Sequence, residues 1–439
     1  MQRSRTGRTD NSRTNGSGVP EGRAKQRAFC IAVLPDGDDL SELKELLRTA
    51  RVAVVGETVQ HLEQPHPRTY LGSGKLEEVK EAAKAADANV IVCDDELSPS
   101  QERNIEEALK LPVIDRTELI LDIFAGHANS AEGKLQVELA QLKYAMPRLG
   151  TKDDSLSRLT GGIGGRGPGE TKMEIGKRRA KDRLAHLEAQ LRSLGKQREQ
   201  RRRRRARRDV ASVAIVGYTN AGKSTLLNRL TGAEVSVRDR LFHTLDPTTR
   251  TMELHGRAYL LTDTVGFIRK LPHQLVEAFG ATLDETRLAD LVLHVVDASA
   301  PEDEMVDMLR AVDEVLEDIG AGDNPRILVL NKADAIDDDR RGELLVRHPD
   351  GVLVSAVTGE GLEELGERIE QEFRRRLRTV DVLLPYAEGA RLAELHEVAG
   401  DDLRREDTPT GVRVSARVPA AMADRLEPFT YEANGANGA

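Results

Sequence analysis

Residues 217–224 read Gly-Tyr-Thr-Asn-Ala-Gly-Lys-Ser and stand between the apolar run Val213-Ala214-Ile215-Val216 and the helix-forming stretch Ser224-Thr225-Leu226-Leu227-Asn228-Arg229-Leu230. Strand, glycine loop and helix in that order are what a phosphate-binding loop requires. Gly217 and Gly222 let the backbone aim its N–H groups at phosphate oxygens, with the positive end of the following helix behind them. Lys223 is placed to reach the β- and γ-phosphates, and Ser224 to set its hydroxyl on Mg2+. Tyr218, Thr219, Asn220 and Ala221 fill the loop between the glycines, and Thr225 continues it into the helix.

A second apolar stretch, Tyr259-Leu260-Leu261-Thr262, runs into Asp263-Thr264-Val265-Gly266. An Asp there can hold a Mg2+-bound water, and the glycine N–H can meet the γ-phosphate. Between the two motifs lies Leu241-Phe242-His243-Thr244-Leu245-Asp246-Pro247-Thr248-Thr249. Its Thr244 is the expected second Mg2+ ligand when a γ-phosphate is present, with Phe242, His243, Leu245 and Asp246 beside the nucleotide. Ile327-Leu328-Val329-Leu330 then delivers Asn331-Lys332-Ala333-Asp334 to a strand's carboxyl end, where open α/β sheets bind ligands. A carboxylate only accepts hydrogen bonds, so Asp334 suits the N1–H and 2-amino donors of guanine and would face an unpaired acceptor on adenine. Val352-Leu353-Val354 leads likewise to Ser355-Ala356-Val357, whose backbone N–H can bond guanine O6. These motifs imply GTP and GDP as ligands, Mg2+ as cofactor, and Lys223, Thr244 and Gly266 as the catalytic set. Phe267 follows Gly266 where many GTPases carry a water-orienting Gln, and an apolar ring cannot hydrogen-bond the attacking water.

The chain of 439 residues is long enough for about three domains. Trp is absent and aromatics are only 3%, so the cores must rest on Leu, Val, Ile and Ala. Cys30 and Cys93 lie in apolar runs and are expected to pack in strands, which fits a reducing cytoplasm. No run approaches about 18 consecutive apolar residues and the start lacks an apolar signal core, so no membrane span is expected. Residues 1–27 are rich in Arg, Ser, Thr and Gly and read as a disordered basic tail.

From 28 to 130 short apolar runs alternate with helical patterns: strands at Phe29–Leu34, Val52–Val55, Val90–Cys93 and Val113–Ile114, and helices over Leu40–Ala50, Lys75–Ala86 and from Ser98-Pro99 to Leu109. This predicts a small α/β domain with a mostly parallel sheet. Its Gly72-Ser73-Gly74-Lys75 is too short for a phosphate loop and reads as a turn before a helix.

Residues 131–209 read as an antiparallel helical hairpin. Leu135, Leu139, Leu142, Met146 and Leu149 recur at helical spacing, as do Leu184, Leu187, Leu191 and Leu194. A helix from Thr171 to Arg208 would extend about 55 Å, with Gly195 as its weak point. The joining segment Leu159–Glu170 holds six glycines and one Pro and cannot be helical. As a side-chain-poor tip it can approach RNA closely through Gly162, Gly164, Gly165 and Arg166, although a plain linker has the same composition. Residues 172–208 carry 16 Lys/Arg against 4 Asp/Glu in a chain of net charge −9, and Arg201, Arg202, Arg203, Arg204 and Arg205 form an unbroken run. Without interleaved aromatics that run suits phosphate contact more than base readout, or else a solvated helix face. The G domain then spans 210–377. Residues 378–439 form a small α/β appendage, with a strand at Val382–Leu384, a helix over Gly389–Val398, a strand at Gly411–Val418, and a disordered end from Glu432.

Taken together the chain resembles an HflX-type ribosome-associated GTPase over nearly all of residues 28–430. The resemblance is carried by the loop at 217–225, Thr244-Leu245-Asp246-Pro247-Thr248, Asp263-Thr264-Val265-Gly266-Phe267, the glycine-rich stretch 160–171, Tyr70-Leu71-Gly72-Ser73-Gly74-Lys75, and the segment 115–149. It implies a P-loop GTPase domain preceded by a small α/β domain and the hairpin, and followed by a small α/β domain. It further implies a cytoplasmic, partly ribosome-associated GTPase, monomeric off the ribosome, that binds the large ribosomal subunit and its RNA with the glycine-rich tip toward the peptidyl-transferase region. Members of the family split or rescue stalled ribosomes, notably under stress, and the resemblance assigns Ser224 and Thr244 to Mg2+ and Asn331 and Asp334 to guanine. His243 stands where a small residue is usual. Two other readings of the residues stay open here: a GTPase assisting ribosome assembly or RNA modification, and an RNA-binding scaffold with a structural nucleotide.

Overall fold

The computed structural model describes residues 26–34, 39–149, 172–206, 211–232, 241–242, 247–272, 275, 279–375 and 377–431. They fall into two compact units, 1–126 and 127–439.

In the first unit β1 (Arg27–Leu34), β2 (Ala53–His61), β3 (Val90–Cys93) and β4 (Val113–Ile114) form a wholly parallel sheet in the order β2-β1-β3-β4. β1 and β3 are buried at nearly every position, as strands covered on both faces must be. Helices α1 (Ser41–Thr49), α2 (Ser73–Ala85), α3 (Pro99–Leu109) and α4 (Arg116–His127) complete it. Gly72 is the N-cap of α2, so the Gly-Ser-Gly-Lys turn does lead into a helix. Ser98 starts α3 through a reciprocal cap: its Oγ accepts from Gln101 N at 3.2 Å while Gln101 Oε1 accepts from Ser98 N at 3.0 Å.

Two features differ from the sequence reading. β2 runs on to His61 through polar residues, because it is an edge strand with an exposed face, and Gly56 within it leaves the space that the Phe29 ring occupies, 2.6 Å from where a Cβ would lie. α4 was not expected, since it is buried around most of its surface, Leu119, Ile120, Leu121, Ile123 and Phe124 included, and so shows no one-sided stripe.

The second unit begins with α5 (Ala131–Ala145) and α6 (Lys172–Ala206). They pack through Leu139, Leu142, Leu149, Ala180 and Leu187, flanked by Leu135, Met146, Leu184 and Leu191. Arg183 grips the Glu138 carboxylate with two bonds of 2.7 Å, and Arg198 pairs with Glu132 at 2.9 Å. Early residues of one helix thus meet late residues of the other, and the pair is antiparallel. α6 has 35 residues, a length of about 52 Å, and continues unbroken through Gly195. Arg201 to Arg205 lie on its last turns. The glycine-rich tip with Gly162, Gly164, Gly165 and Arg166, the basic start through residue 25 and the end from Glu432 lie outside the described residues. Arg27, assigned to the tail from sequence, opens β1 instead because its backbone N–H is held by Asn89 Oδ1 at 2.7 Å.

A six-stranded sheet follows, built from β5 (Ala211–Gly217), β6 (Thr248–Leu254), β7 (Arg257–Asp263), β8 (Leu291–Asp297), β9 (Arg326–Asn331) and β10 (Val352–Leu353) in the order β10-β9-β8-β5-β7-β6. All neighbours are parallel except β6, which runs antiparallel to β7. α7 (Lys223–Thr231), α8 (Gly280–Arg287), α9 (Glu302–Asp318), α10 (Asp338–Arg347) and α11 (Leu362–Arg374) connect them. The aliphatic core includes Val213, Ile215, Leu226, Leu261, Leu293, Val329 and Ile369. Thr248 and Thr249, the end of the stretch between the two motifs, open β6: Thr248 pairs with Asp263, and the Thr249 and Thr262 hydroxyls lie 3.0 Å apart. β5 sits where the strand order turns in both directions, which puts the loop after it at the crevice such sheets use for ligands.

Last come β11 (Leu377–Leu384), α12 (Gly389–Ala399), β12 (Arg404–Thr408), β13 (Gly411–Pro419) and α13 (Ala420–Leu426), with an antiparallel sheet ordered β11-β13-β12. β12 escaped the sequence reading because Arg-Arg-Glu-Asp-Thr is an exposed edge strand without apolar alternation. Arg257, at the start of β7, joins this small sheet to the larger one. Its guanidinium donates to Ala399 O at 3.1 Å, Asp402 Oδ2 at 2.8 Å and Arg417 O at 3.2 Å. Among the described residues no helix is long and apolar enough to cross a membrane.

Candidate nucleotide site

The loop between β5 and α7 is shaped by glycine at both ends. Gly217 has φ +152° and a Cβ there would lie 2.1 Å from Val295 O; Gly222 has φ +92° and a Cβ there would lie 2.2 Å from Asn331 Nδ2. No other residue fits either place. The Lys223 ammonium is buried and lies across the loop, donating to Tyr218 O at 2.7 Å and Gly217 O at 3.0 Å. Burial pushes its pKa down to about 8, against the pull of the Asp263 carboxylate.

That shift has a measurable consequence. A phosphate bound to the charged ammonium would raise its pKa, and a proton would then be taken up wherever the free protein has lost it. At pH 8.5 GDP binding should take up roughly three-quarters of a proton, and at pH 7 about a tenth or less. Calorimetry in buffers of different ionisation enthalpy measures this directly. Equal uptake at the two pH values, or uptake that persists in Lys223→Ala, would show that this lysine is not the group responsible.

Ser224 and Asp263 meet beside the lysine, with Ser224 Oγ donating to Asp263 Oδ2 at 2.5 Å. Asp263 is fully buried at the end of β7. Thr264 Oγ1 donates to Ile215 O at 2.8 Å and holds the following segment against β5. A Cβ on Gly266 would come within 2.7 Å of Thr219 Cγ2 and 3.0 Å of Lys223 Nζ, so the glycine brings this backbone onto the phosphate loop. Phe267 is fully buried, its N–H donating to Gly217 O at 3.1 Å and its carbonyl accepting from Thr219 N at 2.8 Å. The ring is thus shut away from solvent while the backbone of Phe267 is bonded to the loop. Tyr218 OH accepts from Arg269 N at 2.9 Å and pins the next turn as well. Phe242 is buried, while His243, Thr244, Leu245 and Asp246 lie outside the described residues. A hydroxyl and a carboxylate oxygen side by side are hard-cation donors, and Mg2+ usually takes only one or two protein oxygens together with substrate phosphates. The residues present fit that ion.

At the ends of β9 and β10 the two base motifs are joined. Asn331 is buried and its amide spans them, Nδ2 donating to Ala221 O at 2.8 Å and Oδ1 accepting from Ala356 N at 3.1 Å. Asp334 is exposed, with Oδ1 accepting from the buried Ser355 Oγ at 2.5 Å, and Ser355 Oγ accepts in turn from Thr358 N at 3.0 Å. Lys332 adopts φ +69° and its ammonium reaches Asp297 Oδ2 at 2.5 Å. Ala333 and Ala356 are buried beneath, while Val357 is 71% exposed and stands clear of the core. Asp297 was missed from sequence; the signal was an acidic residue closing Leu291–Val296, a stretch apolar except for His294, at the same sheet edge as the other motifs.

A phosphate loop at a topological switch point, an Asp-Thr-Val-Gly segment touching it, and a carboxylate presented beyond the end of β9, two strands away, define a GTPase of the P-loop class. Comparison with known proteins agrees. Residues 37–125 match the family described as GTP-binding GTPase N-terminal, 127–205 the GTP-binding GTPase middle region, and 212–332 the 50S ribosome-binding GTPase family. The chain is 47% identical to GTPase HflX of Lacrimispora saccharolytica over 417 residues, 92% of this chain and 97% of the relative. It is 43% identical to GTPase HflX of Escherichia coli K12, over 89% of this chain and 92% of the relative. A GTP-binding protein from Sulfolobus solfataricus, solved in complex with GDP, is 27% identical, covers 79% of this chain and 98% of its own, and superposes with a TM-score of 0.41. The chain belongs to the HflX family of GTPases and is a GTP hydrolase.

Proposed function

We propose that this GTPase binds the large ribosomal subunit and uses its nucleotide state to dissociate or rescue stalled ribosomes, under conditions of stress. The observation that carries the reading is the α5–α6 hairpin, whose longer arm has 35 residues and ends in a run of arginines, within the same unit as the nucleotide site. An arm of about 50 Å with a glycine-rich segment at its far end suits reach into a narrow space, and the arginine run at its opposite end, next to β5, suits contact with RNA phosphates there. The match of residues 212–332 to the 50S ribosome-binding GTPase family supports the same partner. We assign the chain to the cytoplasm, as a monomer off the ribosome, with domains at 28–130, 131–209, 210–377 and 378–439.

In the hydrolysis step Lys223 exchanges the Gly217 and Tyr218 carbonyls for β- and γ-phosphate oxygens, and the loop N–H groups hold the chain of phosphates in line. Ser224 and Thr244 would hold Mg2+, and the ion would offset charge on the β- and γ-oxygens. Asp263 accepts the Ser224 hydroxyl and orients it, and the Gly266 N–H meets the γ-phosphate. Asn331 keeps the base motifs in step with the phosphate loop, and Asp334, with the Ser355–Val357 amides, takes guanine. Since Phe267 is buried, the group that orients the attacking water comes from elsewhere in the chain or from the ribosome.

Sedimentation with ribosomes through sucrose gradients tests the reading. With a non-hydrolysable GTP analogue the protein should migrate with the large subunit and the intact-ribosome peak should shrink; with GDP neither should occur. Migration with the small subunit, or intact ribosomes unchanged in both states, would overturn it. Replacing residues 161–169 by a short Gly-Ser turn should leave GDP affinity unchanged while abolishing splitting followed by light scattering. Splitting at the normal rate by that variant would reduce the segment to a linker.

A further inference from the structure

The loop after β10 is gripped by two arginines that belong to none of the nucleotide motifs. Its turn is tight: Ser355 N donates to Glu360 O at 2.9 Å and Gly359 N to Ser355 O at 2.8 Å. Arg229, on α7 behind the phosphate loop, donates to Thr358 O at 3.0 Å, and a Cβ on Gly359 would lie 2.9 Å from that same guanidinium nitrogen. Arg341, on the first turns of α10, approaches from the other flank. Its Nη1 meets Glu360 Oε1 at 2.5 Å, and its Nη2 meets Glu360 Oε2 at 3.2 Å and Ala333 O at 2.7 Å.

These bonds close a ring. Arg341 holds the carbonyl of Ala333, the residue before Asp334, and the carboxylate of Glu360. The Glu360 carbonyl holds Ser355, and the Ser355 hydroxyl holds Asp334 at 2.5 Å. We propose that Arg341 is a specificity-determining positioning residue, which fixes the Asp334 carboxylate against the guanine edge through this ring. The proposal rests on the reading of Asp334 as the base acceptor. Arg341 is partly exposed, with 30% of its side chain open to solvent, and an ion pair so placed adds little to the stability of a fold. Position is a different matter, since a displacement of about 1 Å in a recognition group is felt as up to a hundredfold. The planar fork makes two kinds of bond at once, to a carboxylate and to a carbonyl, which an ammonium cannot reproduce from one place.

Inosine triphosphate lacks only the 2-amino group, so the ratio of kcat/KM for GTP over ITP reads the Asp334 contact. With the full-length protein, Arg341→Ala should lower that ratio about tenfold, through KM for GTP, while kcat changes by less than about threefold and Tm by only a few degrees. Arg341→Lys should recover only part of the ratio. The exchange Arg341→Glu with Glu360→Arg should recover less than Lys, because the carbonyl of Ala333 then faces a carboxylate. An unchanged ratio in Arg341→Ala, or full recovery by Lys, would overturn the proposal. Asp334→Ala separates the two levels: if it lowers the ratio while Arg341→Ala does not, only the role of Arg341 fails; if it leaves the ratio untouched, the assignment of the base site fails with it.

Discussion

Lys223→Ala should weaken both GDP and GTP by about two to three orders of magnitude, the two nucleotides falling together. Truncating one partner of a buried, hydrogen-bonded charge pair costs about 2–5 kcal/mol, and each 1.4 kcal/mol is about tenfold in affinity. The upper end is not expected, because the ammonium gives up its bonds to Tyr218 O and Gly217 O when it turns to phosphate. Ser224→Ala should behave differently. Its hydroxyl donates to the Asp263 carboxylate, at the place expected for the metal, so the loss should appear mainly when Mg2+ is present and should be small for GDP in chelator. Fluorescence titrations of both variants with and without Mg2+ check this. Normal GDP binding by Lys223→Ala, or an equal loss with and without Mg2+ in Ser224→Ala, would contradict the division of labour.

The phosphate loop and the base motifs were legible because they obey local rules. Gly217 and Gly222 are required by backbone angles and by the close approach of Val295 and Asn331, and a strand on one side and a helix on the other are written in adjacent residues. The hairpin was legible for the same reason: Leu139, Leu142 and Leu187 recur at the period that builds the seam. What escaped was whatever tertiary context decides. β2 and β12 are polar because one face meets solvent, α4 is apolar all round because it is buried, and neither pattern carries a period. Asn331 was read as a base contact, and its amide is seen to bridge Ala221 and Ala356, partners 110 and 25 residues away. Arg257 and Arg341 look like ordinary surface arginines in the sequence. Only the fold shows one joining two sheets and the other joining two loops.

Asp334→Asn should exchange guanine for xanthine as the preferred base. The carboxylate is exposed at the end of β9 and can accept from both N1–H and the 2-amino group. Substitution by an amide replaces one acceptor oxygen with a donor, and a site built for polar pairing that is left mismatched discriminates by about 10⁴ or more at best. Here the exposure of Asp334 lets water answer part of the deficit, so GTP affinity should fall by about a hundredfold to a thousandfold. The direction of the gain follows from Ser355. Its hydroxyl donates at 2.5 Å to the oxygen now called Oδ1, and it is itself fixed as a donor because Thr358 N occupies it as an acceptor at 3.0 Å. An amide at this place would keep its oxygen toward Ser355 and turn its NH2 toward the base, where xanthine offers the 2-carbonyl in place of the 2-amino group. XTP hydrolysis should therefore rise as GTP hydrolysis falls, with kcat for the preferred nucleotide within an order of magnitude of the original, since the phosphate end is untouched. Steady-state kinetics on both nucleotides decide it: equal loss of both would mean that the substitution disorders the loop, and unchanged GTP affinity would mean that the base is read elsewhere.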